Sequence, residues 1–176
     1  AVKMKLTKKI TLCAMFAALG TVLLYVGSFL EIIDMSVAGL ASLIILFCLI
    51  ELGYAAAFSV YSVISVISLL ILPNKWVAFY FVFFFGPMPI TKKIFEKTGR
   101  VISWILKFAV FNAELVAFYF IVSALGFFDE NEISKLFAIA ALILLNVVFL
   151  LSDILYGKLY RIYMVKYRHR IKKFLK

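Results

Sequence analysis

Long apolar runs alternate with short polar connections along most of this chain. A helix needs about 20 apolar residues, within a range of roughly 17 to 25, to cross the hydrocarbon core of a bilayer. Six runs reach or approach that length: Ile10–Leu30, Met35–Ile50, Gly53–Leu72, Trp76–Ile90, Val101–Phe127 and Leu136–Tyr156. The pattern predicts an all-α bundle of six transmembrane helices in one domain, 1–176, with a basic tail at 157–176. Because the runs differ in length, we expect the helices to differ in tilt.

Three details of these runs refine the prediction. Only Glu51–Gly53 separates the second and third helices, which indicates a tight helical hairpin with Gly53 as a cap. The Gly-Pro-Met-Pro sequence at 86–89 should break or kink the end of the fourth helix, since proline removes a backbone donor; a re-entrant fourth segment is the alternative. The first run is too long for a signal peptide and has no small-x-small cleavage site, so we expect a retained helix.

Composition supports a membrane protein. Apolar residues make up 66% of the chain, against about half in a globular domain, and charged residues only 16%. Too few polar residues remain to cover a water-soluble surface. The net charge of +10 sits in clusters that adjoin the apolar runs. Membrane topology and anionic lipid headgroups account for such clusters, so nucleic-acid binding is not predicted.

The basic residues also predict the orientation. With both termini in the cytoplasm, sixteen of the 19 Lys and Arg residues lie inside: four before the first helix, four at 92–100 and eight in the tail. Lys75 and Lys135 lie outside, and Lys107 lies within a helix. Cytoplasmic loops carry an excess of Lys and Arg, and reversing the chain or removing a helix destroys this partition. We therefore predict a multi-pass protein with both ends inside.

The residues of common catalytic and metal sites are scarce. His169 is the only histidine and lies in the basic tail, so neither a histidine metal site nor a Ser-His nucleophile has its partners. Cys13 and Cys48 lie in separate apolar runs and form no CxxC motif. Nothing pairs the carboxylates at a useful spacing. We predict no enzyme activity, no metal and no cofactor, and a lipid-acting enzyme has only the carboxylates to support it.

Polar residues inside membrane helices are costly, which makes each a functional candidate. Asn112 and Glu114 lie near the middle of the fifth helix, and Asn146 near the middle of the sixth. For the two asparagines, hydrogen bonds between helices are the preferred interpretation and a place in a ligand site is the alternative. A carboxylate at this depth must be protonated, paired or hydrated, so Glu114 is a candidate for lining a ligand cavity or pairing with a ligand. Lys107 is expected to snorkel, and Asp153 to pair with the basic loops.

Aromatic and small residues add two further candidate surfaces. Trp76 and Tyr80 share a face near the outer end of the fourth helix, with Tyr119 on the same side. An interfacial aromatic belt explains Trp76, and a stacking pocket for a flat ligand is the sharper hypothesis. Ala14 and Ala18 lie four residues apart in the cytoplasmic half of the first helix. Such spacing lets a second helix approach closely, either within the bundle or from a partner.

Together these features resemble the S-component, the substrate-binding subunit of energy-coupling-factor (ECF) vitamin transporters. That family has a similar size, six helices, both ends inside and no nucleotide-binding loop of its own. The Ala14-x-x-x-Ala18 spacing resembles the family's first-helix alanine motif, which contacts a shared transmembrane coupling subunit. The Gly86-Pro87 element resembles the end of the fourth helix in that superfamily. Clostridial membrane proteins show a similar Phe-Asn pair in their fifth helix, here Phe111-Asn112.

The resemblance implies a bacterial plasma-membrane subunit that binds a small water-soluble micronutrient from outside. It places the substrate in the outer half of the bundle, with Lys75 and Asp34 as loop contacts. The implied substrate-binding residues are Trp76, Tyr80, Asn112, Glu114, Tyr119 and Asn146. Ala14 and Ala18 would face the coupling subunit, with separate ATPases as further partners. Motifs for thiamine, biotin, riboflavin or folate are not evident, so the substrate stays open.

The alternative is a non-transporting membrane scaffold that resembles the rod-shape-determining subunit MreD. Its small-residue face and basic tail would bind proteins and lipids, and it would need no ligand pocket. The hypotheses differ in whether Asn112, Glu114 and Asn146 converge on an outward-open cavity or bond to each other.

Overall fold

Helices account for nearly all of the residues that the computed structural model describes, which are 6–30, 33–124, 126 and 135–167. They are α1 (Leu6–Gly27), α2 (Asp34–Glu51), α3 (Tyr54–Ile71), α4 (Lys75–Tyr80), α5 (Met88–Phe95), α6 (Arg100–Ala124) and α7 (Lys135–Ile162). Single π-helical turns follow α4 at Phe81–Phe85 and α7 at Tyr163–Tyr167. With α4 and α5 joined into one span, six spans are long and apolar enough to cross a membrane. The chain is a multi-span membrane protein, as predicted.

The central helix is α2, which packs against α1, α3 and the fourth span. Ala38, Ala41 and Ile45 are fully buried along it. Small side chains also bring α1 close to its neighbours. A Cβ at Gly20 would lie 2.5 Å from the Cδ1 atom of Ile64 on α3, and one at Gly27 would collide with Val37 on α2. These close approaches bring the first three helices into one tightly packed unit.

The predicted break in the fourth span is confirmed. The amide of Gly86 donates to the carbonyl of Phe81 at 2.7 Å, five residues back, so the chain forms a π-helical turn before the proline. The Tyr61 hydroxyl donates to the carbonyl of Val82 at 2.8 Å and supports this turn from α3. A π-helical turn inside an α-helix often accompanies a functional site.

The predicted end of this span at Ile90 is wrong, because α5 continues to Phe95. Pro89 lies in the first turn of α5, where a helix makes no use of the amide that proline lacks. The whole span, Lys75–Phe95, has 21 residues and is long enough to cross the bilayer.

Other helix ends differ from the prediction in the same direction. The last helix ends at Ile162 rather than Tyr156, and α1 begins at Leu6 rather than Ile10. Polar and basic residues extend helices past the apolar boundary, which hydropathy alone does not detect. The tight α2–α3 hairpin is confirmed: Gly53 has φ 93°, a left-handed conformation that glycine adopts without strain. Three parts of the chain lie outside the described residues: the predicted end of the fifth helix at Phe127, the connection that follows it with the acidic residues at 129–132, and the tail beyond Tyr167.

The bundle has two chemically different ends. We call the end with Lys8, Lys93, Lys97 and Lys158 the basic end; it contains the end of α2 and the ends of α5 and α7. The opposite end contains the start of α2 and the start of α4, with Asp34 and Lys75. The candidate site lies at this opposite end.

Candidate functional site

A groove of about 350 Å³ opens at the opposite end of the bundle. We call it the Asp34 groove; its lining residues are Asp34, Met35, Trp76, Tyr80, Phe84, Phe118 and Leu145. They come from α2, α4, the π-helical turn, α6 and α7, so four spans contribute. A more open region of about 610 Å³ adjoins it, and Asp34 and Trp76 line both. The volume lies within the range of roughly 300 to 1,000 Å³ that is typical of small-molecule sites.

The Asp34 carboxylate is fixed by the loop before α4. The Asn74 side chain donates from Nδ2 to Oδ2 of Asp34 at 2.8 Å. Its Oδ1 accepts from the backbone amide of Trp76 at 3.0 Å, which caps α4. Because one amide makes both bonds, Asn74 joins the start of α2 to the start of α4. Two elements 40 residues apart therefore hold the carboxylate in place.

Aromatic rings form the wall of the groove. The Trp76 ring lies 6.3 Å from the Tyr80 ring at an interplanar angle of 31°, and 6.4 Å from Phe118. Phe84 and Phe118 are 5.2 Å apart. Tyr80 is half-buried and lines the groove together with Asp34. The groove thus combines one carboxylate with several aromatic rings.

The groove narrows sharply toward the middle of the membrane. Below it lies a space of only about 20 Å³, which shares Met35, Phe84 and Leu145 with the groove. Such a volume holds about one water molecule. The rings of Phe111 and Phe149 stack here at 4.4 Å and 22°. This aromatic floor separates the groove from the basic end.

Of the predicted substrate-binding residues, Trp76 and Tyr80 come together in the groove. Asn112 and Asn146 lie elsewhere: Nδ2 of Asn112 donates to Oδ1 of Asn146 at 3.3 Å. Each asparagine also bonds the carbonyl four residues before it, Phe108 at 2.8 Å and Leu142 at 2.9 Å. The pair therefore joins α6 to α7 by the hydrogen bond between helices that was the preferred interpretation for these two residues.

Glu114 and Tyr119 also lie outside the residues that line the Asp34 groove. Glu114 is half-buried on α6. Tyr119 is exposed and packs edge-on against Phe120 at 5.9 Å. Lys75 is turned from the groove as well, since its Nζ donates to the carbonyls of Leu69 at 2.9 Å and Leu70 at 3.4 Å.

The two candidate alanines of α1 face outward. Ala14 and Ala18 are exposed on the same side as Met15 and Leu19, while Ala17 and Gly20 are buried against the bundle. In the described part of the chain, this small-residue surface is therefore available to lipid or to another protein.

A buried ion cluster at the basic end was only partly predicted. Nζ of Lys92 lies 2.8 Å from Oδ2 of Asp153, and Nζ of Lys107 lies 3.2 Å from Oδ1 of the same residue. These three residues are 8%, 6% and 4% exposed. Glu96 completes the cluster at 3.3 Å from Lys92 and 3.7 Å from Lys107, with its side chain 51% exposed. Asp153 pairs with a basic residue as expected, but its partners Lys92 and Lys107 lie on helices α5 and α6 and not in a loop.

Lys107 does not snorkel to water but is enclosed in this cluster, because Asp153 supplies a counter-ion at its depth. Lys92 packs directly against α7, since a Cβ at Gly157 would be in ordinary van der Waals contact with its Nζ at 3.5 Å. The spacing of Lys92 and Glu96, one helical turn apart, was the available sequence signal.

Among the described residues, no group of three or more His, Cys, Asp or Glu side chains is arranged to hold a metal ion. In comparisons with family models, curated proteins and solved structures, no match to this chain was found.

Proposed function

We propose that this protein is the substrate-binding membrane subunit of an ECF-type importer for a small water-soluble vitamin or related micronutrient. The observation that carries the proposal is the Asp34 groove, which opens at one end of the bundle and narrows to about 20 Å³ beneath. A binding subunit needs such a one-sided site, since a through-passage would leak its substrate.

The orientation of the groove follows from the charges. The basic end faces the cytoplasm under the positive-inside rule, so the Asp34 groove faces outside, where nutrient arrives. Trp76 and Tyr80 supply stacking surfaces, and Asp34 supplies a fixed carboxylate. Pocket walls that are mostly apolar with a few placed polar groups are typical of small-molecule sites.

The exposed alanines support coupling to a second membrane protein. Ala14 and Ala18 leave a shallow surface on α1 that a partner helix can approach closely. Separate ATPases would energise the complex through that partner. Ligand capture at one end and coupling on the side of α1 thus use different surfaces.

Mass spectrometry of small molecules released from gently purified protein tests the proposal. We expect a water-soluble metabolite in stoichiometric amount, which also names the substrate. Repeated recovery of lipid alone from cells grown in rich medium would overturn the proposal.

A non-transporting scaffold of the MreD type is the second candidate. The Asn112–Asn146 bond favours it, because these polar groups join two helices and do not line the groove. A scaffold would retain no metabolite but would co-purify with membrane partners through the alanine surface. The same preparation therefore distinguishes the two functions.

A further inference from the structure

We propose that the Asp34 groove selects an organic cation: a small water-soluble molecule with a quaternary or protonated amine, or a positively charged ring. This inference rests on the proposed function and names the class of substrate. It is drawn from the charges and rings that line the groove.

The formal charge on the described lining of the groove is negative. Among the described residues that line it, Asp34 is the only one with a formal charge. The nearby cation, Lys75, is engaged with the carbonyls at the end of α3 and does not line the groove. The start of α2 contributes a dipole charge of only about +0.5, which offsets about half of the carboxylate. The backbone amide of Trp76, in the first turn of α4, already donates to the Asn74 side chain and is not available to bind an anion.

The aromatic wall favours the same class of ligand. The faces of Trp, Tyr and Phe rings carry partial negative charge and attract a cation within about 6 Å of the ring centroid. Trp76, Tyr80 and Phe118 are close enough together for one cationic group to contact more than one ring. An anion would be repelled by both the Asp34 carboxylate and these ring faces. A highly hydroxylated neutral ligand would find few hydrogen-bonding partners.

The position of the charge adds specificity. Asp34 lies at the junction of the groove with the open region, and it lines both. A ligand that enters through the open region meets the carboxylate and the Trp76 ring together, and then the Tyr80 ring. Because Asp34 is half-buried, its attraction for a cation is stronger than it would be in bulk solvent. The groove is therefore arranged to attract a cation.

Three probes of similar size and different charge test the inference: benzyltrimethylammonium, benzyl alcohol and benzoate. The chain has two tryptophans. A Trp104→Phe background leaves Trp76 as the only one, so its emission reports on the groove in purified, lipid-reconstituted protein. We expect saturable binding of benzyltrimethylammonium, at least about tenfold tighter than either other probe, because cation–π contacts and a carboxylate add to ring burial.

Asp34→Asn removes the charge while its side-chain oxygen still accepts from Asn74. It should weaken benzyltrimethylammonium binding about tenfold and leave benzyl alcohol unchanged, since only the cation gains from the carboxylate. Glu96→Gln is the matched control, because it makes the same acid-to-amide change at the basic end; it should alter neither probe.

Equal binding of benzoate and the cation, no binding of any probe, or an unchanged affinity in Asp34→Asn would overturn the inference. The charge of the metabolite released from the same preparation separates this failure from that of the proposed function. A retained anionic or neutral metabolite overturns only the cation selectivity. Recovery of lipid alone overturns both.

Discussion

Replacing Asp153 by asparagine should strongly destabilise the protein, because two buried lysines share that carboxylate. Lys92 and Lys107 lie 2.8 and 3.2 Å from it, and both are more than nine-tenths buried. Removing one partner of a buried ion pair typically lowers the free energy of unfolding by about 3–5 kcal/mol, since the remaining charge stays buried without its partner.

The neighbouring carboxylate limits this cost. Glu96 lies 3.3 Å from Lys92 and 3.7 Å from Lys107, and its half-exposed side chain can partly replace the lost charge. We therefore expect a loss of about 3 kcal/mol in the free energy of unfolding, at the lower end of that range. Glu96→Gln removes the solvent-screened partner and should cost less than about 1 kcal/mol.

Unfolding in mixed micelles, titrated with a denaturing detergent, measures both variants against the wild type. Equal stabilities of Asp153→Asn and Glu96→Gln would refute the reasoning. A triple variant with Lys92→Met, Lys107→Met and Asp153→Leu provides a second check. It should recover most of the loss, because apolar replacement of a buried ion cluster is often neutral or stabilising.

Three further predictions concern other parts of the bundle. Gly86→Ala should destabilise the protein by about 1–3 kcal/mol in the same titration, because its Cβ would lie 2.5 Å from Cε2 of Tyr61; wild-type stability would contradict the tight packing. Ala14→Leu with Ala18→Leu should abolish uptake in cells while changing unfolding by less than about 0.5 kcal/mol, since both sites are exposed; intact uptake would remove the coupling role. Glu114→Gln should leave the affinity for the retained metabolite unchanged, because Glu114 does not line the groove; weaker binding would return it to the site.

The spans and the break in the fourth helix could be predicted because they depend on local sequence. A long apolar run has few alternatives to a membrane helix, and the Gly-Pro pair at 86–87 removes a helix donor wherever it lies. The extension of α5 to Phe95 could not, since its last turns contain lysines that hydropathy places outside the membrane. Those lysines stay helical because one of them, Lys92, finds Asp153 on a distant span.

The rotation of each helix about its axis was the main feature that the sequence left open. Membrane helices are apolar on the lipid face as well as the core face, so the pattern does not reveal which side turns inward. Small residues lie on more than one side of α1, and only the packing shows that Ala17 and Gly20 face the bundle, with Gly20 against Ile64, while Ala14 and Ala18 face outward. The sequence predicts the depth of Asn112 in the membrane, but it does not predict that the Asn112 side chain points toward Asn146.

The buried ion cluster has a consequence for the biosynthesis of the protein. Lys92 and Lys107 are translated before their shared counter-ion, which follows Lys107 by 46 residues. Until the last span emerges, the half-exposed Glu96 is the only carboxylate of the cluster that has been made, so two ammonium groups share one solvent-screened counter-ion. Insertion of α7 delivers the buried carboxylate that balances the second charge. Charge neutralisation therefore couples burial of both lysines to docking of α7.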